Sequence, residues 1–484
     1  MNKIYKVVWN NTLQCYTVVS ELAKSHTKNN ASKVVRATIL SSLLAVTSST
    51  YAAQLGVITE KDLPLIVDEN TQDVTVDSIN VTKGSNTTVN AIGITGGRTL
   101  TVNDDLTVST SSSSTINSLQ IWAGNWADDP INFKFDPSST LHVKDNFNVF
   151  NLNENTEISP KDHVLLTNLA NTTVDGNVNL KSHAIYVKTT DSEGNEHISR
   201  SNGYNVVMFH GNSTIGKDLN VDKAYFSVSR FPELNNTKGD IQYADGTGIT
   251  TVNGNATFTD EGELTVAYGH LNVKGNLTFD NGKFNLSSEV RDGDGNIVQT
   301  GQDASINVGG DLTMSGVSDN RQIIYNEVSG NSTSLNVAGD VNLSGTNNIH
   351  AFDNSELNFE KDLNIESTEV RDIFCVSEGA VGNIKGDMHV TGTTEDGHQN
   401  YYDMRNSGTL NVAGNVSFEG TNNLHIFDKS ELNVGKNATF NEGEFSVTDN
   451  SNAKIDGDLT LNHVLIPISG IKHQKVLLSP LVAI

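Results

Sequence analysis

A nine-residue unit recurs along this chain, and it limits the possible folds more than any other feature. Its clearest copies begin at Leu271 (LNVKGNLTF), Leu335 (LNVAGDVNL), Leu410 (LNVAGNVSF), Leu432 (LNVGKNATF) and Ala453 (AKIDGDLTL). Looser copies begin at Leu100, Leu141, Thr172, Ser213, Thr250, Ile306, Leu357 and Gly382. Several neighbouring copies lie about 21 to 28 residues apart. A larger duplication maps Leu335–Asn358 onto Leu410–Asn433 with a shift of 75 residues, close to three repeats. In Leu-Asn-Val the first and third side chains share one face and Asn takes the other, the period of a strand. The x-Gly step that follows reads as a corner, where Gly relieves a positive φ. Leu-Thr-Phe then repeats the alternation, and a third short strand fits segments such as Glu444–Val447.

Three short strands with Gly, Asn and Asp corners describe one coil of a β-helix. One coil cannot bury its apolar face alone, so coils must stack and complete each other's hydrogen bonds. The expected fold is all-β, a right-handed parallel β-helix, because crossovers between parallel strands are nearly always right-handed. About 20 coils spaced 4.7–4.9 Å apart would make a rod on the order of 90–100 Å long. β-sandwich domains of about 100 residues do not suit a repeat this short. The repeat is regular over 250–461 and irregular over 54–249. The irregular part has excursions at Leu119–Asp136 and Asp222–Gly246 that carry Trp122, Trp126, Phe133, Phe135, Tyr225, Phe226 and Phe231. Packing against the coils, rather than ligand contact, is the expected role of these aromatics. The tail at 462–484 is apolar and basic, unlike the coils, and reads as a cap or as the scar of a truncation.

The first 53 residues are an address. Lys24, Lys28, Lys33 and Arg36 precede an apolar run from Ala37 to Val46, and small residues follow up to Thr50-Tyr51-Ala52-Ala53. That order is a secretory signal, with cleavage expected after Ala52 or Ala53. The apolar run is too short for a bilayer, which takes roughly 20 residues. An additional block precedes it: Met1-Asn2-Lys3-Ile4-Tyr5-Lys6-Val7-Val8-Trp9-Asn10, then Val18-Val19-Ser20-Glu21-Leu22-Ala23-Lys24. This block resembles the extended signal peptide of Gram-negative type V secreted proteins. It departs at Cys15-Tyr16-Thr17, where the family usually has a Trp nearby. The resemblance implies Sec export, an outer-membrane translocator as partner, and a destination at the cell surface, the outer membrane or outside the cell. It covers about a tenth of the chain. Of the type V classes, the autotransporter passenger fits best. No heptad stalk and no Asn-Pro-rich secretion domain is apparent. A translocator barrel would need on the order of 250 further residues, so the barrel is expected to be encoded elsewhere or lost, in which case the chain would stay in the periplasm.

Cysteine usage agrees with export. Cys15 lies in the signal, which leaves Cys375 without a disulfide partner and reading as a small buried hydrophobe. The net charge is −25, which makes nucleic acid and anionic membranes poor partners. Catalytic signatures are missing. There is no Gly-x-Ser-x-Gly elbow, no His-Glu-x-x-His and no protease-type nucleophile segment. His350 and His425 occupy equivalent places in the duplication. Arg291-Asp292-Gly293-Asp294-Gly295-Asn296 begins like a calcium loop, but Ile297 stands where the tight-turn Gly belongs, so a long hairpin turn is expected. No cofactor, metal or catalytic residue is assigned, and no enzyme activity is expected. The leading expectation is a surface adhesin or self-association module that promotes aggregation or biofilm and binds a host surface or its own copies. The alternatives are a secreted enzyme acting on polysaccharide and a non-functional passenger fragment.

Overall fold

A computed structural model describes the chain from residue 53 to 478, apart from short connecting segments of which 125–134 and 152–163 are the longest. It also describes the strands Tyr5–Asn10 and Cys15–Ser20, which pair as an antiparallel hairpin. Residues 21–52, with Ala52, lie outside the described residues. Ala53 opens the first strand of the stack.

The chain winds into a parallel β-helix solenoid in which each coil contributes three strands. In one coil these are Thr409–Val412, Val416–Glu419 and Asn422–Ile426. Equivalent strands pair in parallel from coil to coil and form three columns. The first column starts at Ala53–Leu55, the second at Ile58–Thr59 and the third at Leu65–Val67. The third column is a 14-stranded sheet. The first two merge through the long strand Asn452–Asn462, which pairs with both. The columns cross residue 250 without interruption. Ile471–Leu478 continues the pairing beyond Asn452–Asn462, with Ala453 opposite Ile471 and Leu459 opposite Val476.

Alternation along each strand builds the core. In the coil above, Leu410, Val412, Val416, Phe418, Leu424 and Ile426 are all buried, and the alternate residues Asn411, Ser417 and His425 face outward. Aromatic rings stack both between adjacent coils and within one coil. Phe418 and Phe440 lie 5.2 Å apart, and Phe440 and Phe445 lie 4.5 Å apart. Every repeat start read from the sequence falls at one first-column position, from Leu100 and Leu141 through to Leu432 and Ala453. The 75-residue duplication spans three coils, of 22, 25 and 28 residues.

The number of coils is corrected to 14 complete ones among the described residues, in place of about 20. At about 4.8 Å per coil the stack is roughly 65–70 Å long. The wide gaps between repeats, which in the sequence fit either insertions or an intervening coil whose pattern has drifted, are insertions. Single coils there run to 41, 37 and 35 residues. They carry antiparallel hairpins that leave the stack at Ala184–Thr190/Glu196–Asn202, Pro232–Asn235/Asp240–Tyr243 and Val290–Arg291/Ile297–Gln299. The last of these is the expected hairpin around the calcium-like segment, whose residues 292–296 lie outside the described residues.

A second correction concerns the corner glycines. Gly339, Gly386 and Gly414 are not among the positive-φ residues. They are needed for close approach. A Cβ on Gly414 would meet Asp387 Oδ1 at 2.1 Å and the Gly386 carbonyl oxygen at 2.4 Å. Left-handed backbone occurs instead at the corner between the third column and the next first-column strand. There, consecutive pairs such as Asp353-Asn354, Asn406-Ser407, Asp428-Lys429 and Asp449-Asn450 adopt it on successive coils. Asn and Asp tolerate that region best among residues with a side chain.

One polar column runs along the corner that follows the glycines. Each coil from Asp105 to Asp458 places an Asp or Asn there, and its side-chain oxygen accepts from the backbone N–H of the equivalent residue on the next coil. The bonds are 2.9 Å for Asp105 to Asn146, 2.9 Å for Asn276 to Asp311, 2.8 Å for Asp362 to Asp387 and 2.9 Å for Asn437 to Asp458. The intervening coils repeat the same contact.

Because its neighbours are backbone and this polar column, Gly414→Ala is expected to destabilise the solenoid by about 1–3 kcal/mol through overpacking. Urea unfolding followed by circular dichroism checks this, and an unchanged midpoint contradicts the close-approach reading.

Candidate functional site

The outward residues decide what the rod can do. On the first column, the residue between the two buried positions is Asn on seven successive coils. Asn307 donates its Nδ2–H to Asn272 at 2.8 Å, Asn336 to Asn307 at 2.7 Å, and Asn358 to Asn336 at 2.9 Å. Asn383, Asn411 and Asn433 continue the chain, each donating to the preceding amide at 2.9 Å. Each amide inside this ladder spends one of its two N–H donors and one of its two acceptor lone pairs. Asn307 and Asn336 also donate from Nδ2 to Ser305 and Ser334 Oγ at 3.0 Å, and Asn358 to Glu356 Oε2 at 3.4 Å. Toward the N-terminus the same row carries Thr173, Thr214 and Thr251.

A shallow groove of about 530 Å³ lies over the C-terminal part of the ladder, floored by Asn358, Asn383, Asn411 and Asn433. Its depth comes from the next outward position, where two coils carry only Ala413 and Gly435. Ion pairs bound it on both sides: Lys385 Nζ to Glu360 Oε2 at 2.6 Å, and Lys454 Nζ to Asp456 Oδ1 at 2.8 Å. A second groove of about 350 Å³ overlies Thr173, Thr214 and Thr251 on the same face.

The third column carries a row of titratable groups. His350, Cys375, Asp403 and His425 are in register on four successive coils. Cys375 is buried, as expected of a small hydrophobe, though it sits in the outward row. His350 Nε2 lies 3.2 Å from Ser377 Oγ. Burial and the nearby Arg405 guanidinium push the His350 pKa down to about 4, against the pull of Asp403. Burial acts the same way on His425, but Asp403 and Glu444 outweigh it and raise its pKa. Their oxygens lie 3.5 and 3.7 Å from the ring nitrogens, charge contacts longer than a hydrogen bond.

Histidine–serine ties between coils recur at His210–Ser229 (2.8 Å), His270–Ser305 (2.9 Å) and His389–Ser417 (2.9 Å). Asp303 joins the second pair, its Oδ2 3.4 Å from His270 Nε2. Motif reading missed this Ser–His–Asp set because His270 comes from the coil before the one that carries Asp303 and Ser305. Its setting is that of a tie. Ser305 is buried and accepts from Asn307 Nδ2 at 3.0 Å, and Asp303 shares its charge with Arg230. Among the described residues, no three His, Cys, Asp or Glu converge on a metal-sized site.

The aromatics of the excursions are placed by packing where they are described. Trp122 is buried, and a Cβ on Gly93 would fall 2.4 Å from its ring. Phe226 points into the core, 5.2 Å from the Phe209 ring, and Phe135 packs against the core from outside. Tyr225 is only partly buried. Trp126, Phe133 and Phe231 lie outside the described residues.

The His350 shift has a definite sign. Its folded pKa is below the ordinary 6.5, so the folded state resists protonation and stability falls as pH drops from about 6.5 towards 4. His425 acts oppositely: it adds stability below its ordinary value, and that is lost as pH rises through its raised folded value. His350→Gln is expected to reduce the loss of thermal midpoint between pH 7 and pH 4. An identical acid-induced loss in both proteins rules His350 out as a contributor.

Comparison with known proteins agrees with this picture at the N-terminus. Residues 1–50 match the family described as Extended Signal Peptide of Type V secretion system. The chain is 49% identical over 47 residues to the autotransporter adhesin NhhA of Neisseria meningitidis serogroup B, a match spanning 10% of this chain and 8% of that relative. No solved structure matches the chain. An extended signal peptide of type V secretion, directing export to the cell surface or beyond, thus precedes an all-β parallel solenoid, and that is the build of an autotransporter passenger.

Proposed function

We propose that the solenoid acts as a surface adhesin or self-association module, exported by the Sec machinery and displayed by an outer-membrane translocator. The amide ladder from Asn272 to Asn433 carries this reading. It repeats the same side-chain amide once per coil, so weak contacts with a host surface or a second copy repeat in register and add up. The matched relative is itself named an adhesin, which supports the same reading. The acidic surface, with a net charge of −25 for the chain, keeps such rods soluble and selects against polyanionic partners.

Display of the chain on bacterial cells through a supplied translocator barrel tests this. Cells are expected to autoaggregate or to bind epithelial monolayers above the level of barrel-only cells. Equal settling and equal binding contradict the proposal.

A further inference from the structure

The groove over Asn358, Asn383, Asn411 and Asn433 has a chemistry that points to one class of ligand. From it we infer a binding site for an uncharged, extended glycan that runs along the solenoid axis with one sugar per coil. This inference rests on the adhesin reading for its biological setting and names its ligand class.

Three observations select the ligand. The first is the hydrogen-bonding floor. On the floor, Asn383, Asn411 and Asn433 each keep an N–H and an acceptor lone pair beyond the ladder bonds, while Asn358 also donates to Glu356 Oε2 at 3.4 Å, and a sugar hydroxyl both donates and accepts. The second is spacing. Parallel coils repeat every 4.7–4.9 Å or so, and a pyranose ring in an extended glycan advances by close to that distance. A chain of sugars therefore meets successive amides without losing register. The third is charge. The lysines at the two rims are each committed to a carboxylate, Lys385 to Glu360 at 2.6 Å and Lys454 to Asp456 at 2.8 Å. Among the described residues no cation of the rim is left without a carboxylate, and the acidic chain repels polyanions at longer range. Protein partners are disfavoured because protein hot spots centre on aromatic and Arg anchors in desolvated pockets, whereas the open part of this groove is amide, Ala413 and Gly435. Those two small residues make room where larger ones would fill the notch.

The test uses the purified full chain and calorimetric titration with cellohexaose and β-1,4-mannohexaose as neutral probes and a heparin hexasaccharide as the anionic one. Saturable binding of a neutral probe is expected. Ala413→Arg, on an exposed position at the notch, is expected to weaken it at least tenfold. Ala338→Arg, exposed at the equivalent outward position outside the groove, is expected to leave it unchanged. Equal thermal midpoints for the two variants separate loss of binding from loss of fold. Failure of both neutral probes to bind, tighter binding of the heparin fragment, or equal affinities for Ala413→Arg and the unaltered chain would each overturn the inference. Aggregation of displaying cells without glycan binding would leave the self-association reading standing and overturn this one alone.

Discussion

Everything in this molecule depends on one hydrogen bond repeated along a corner. An Asp or Asn side-chain oxygen of one coil accepts from the backbone N–H of its counterpart on the next, from Asp105 to Asp458. Strand pairing alone tolerates slippage by two residues on a uniform face. The corner bond does not, because a slipped coil leaves a buried or half-buried N–H without an acceptor. It acts together with the Gly before it, which lets the backbone of one coil sit against the corner side chain of the coil before. Four consecutive corners, at Asp311, Asp340, Asp362 and Asp387, stack carboxylates one coil apart. At about 5 Å in solvent, like charges cost about 1 kcal/mol. A hydrogen bond to a charged group contributes about 1.5–3 kcal/mol, so the ladder survives its own repulsion. The lowered Asp387 pKa, caused first by the Asn415 backbone N–H, has the same origin.

Insertions follow from the same rule. Because register is set at the first two columns and their corner, a coil is free to lengthen on either side of the third column. The hairpin at 184–202 leaves the stack between the second and third columns, and those at 232–243 and 290–299 leave between the third column and the next coil. The pairing of the flanking coils continues as though nothing had been added. Coils therefore vary in length while the outward rows stay straight. That is how Asn272 to Asn433 form one ladder although they come from coils of 35, 29, 22, 25, 28 and 22 residues.

Much of this was legible from the residues. The alternation in Leu-Asn-Val and Leu-Thr-Phe marked the inward positions, and every repeat start lies on one line in the structure. The extended signal was legible residue by residue from Met1 to Lys24. The coil count was not, because hairpin insertions and drifted coils look alike as gaps between repeats. The reason for the corner Gly was also hidden, since the clash it avoids is with a residue more than 20 positions earlier. The groove, the His350–Cys375–Asp403–His425 row and the Ser305–His270–Asp303 tie share this cause. Each brings together residues from different coils, and no local spacing in the chain records that neighbourhood.

Coil-to-coil register is the claim on which fold, ladder and groove all rest, and disulfide trapping measures it directly. Asn383 and Asn411 lie opposite each other on adjacent coils, whereas Asn433 is one coil further along. In a chain with Cys375 replaced by Ser, cysteines at 383 and 411 are predicted to form a disulfide readily under mild oxidation, and cysteines at 383 and 433 are predicted to remain free. Failure of the adjacent pair to form, or equal trapping of both pairs, would contradict the register and with it the account built on it.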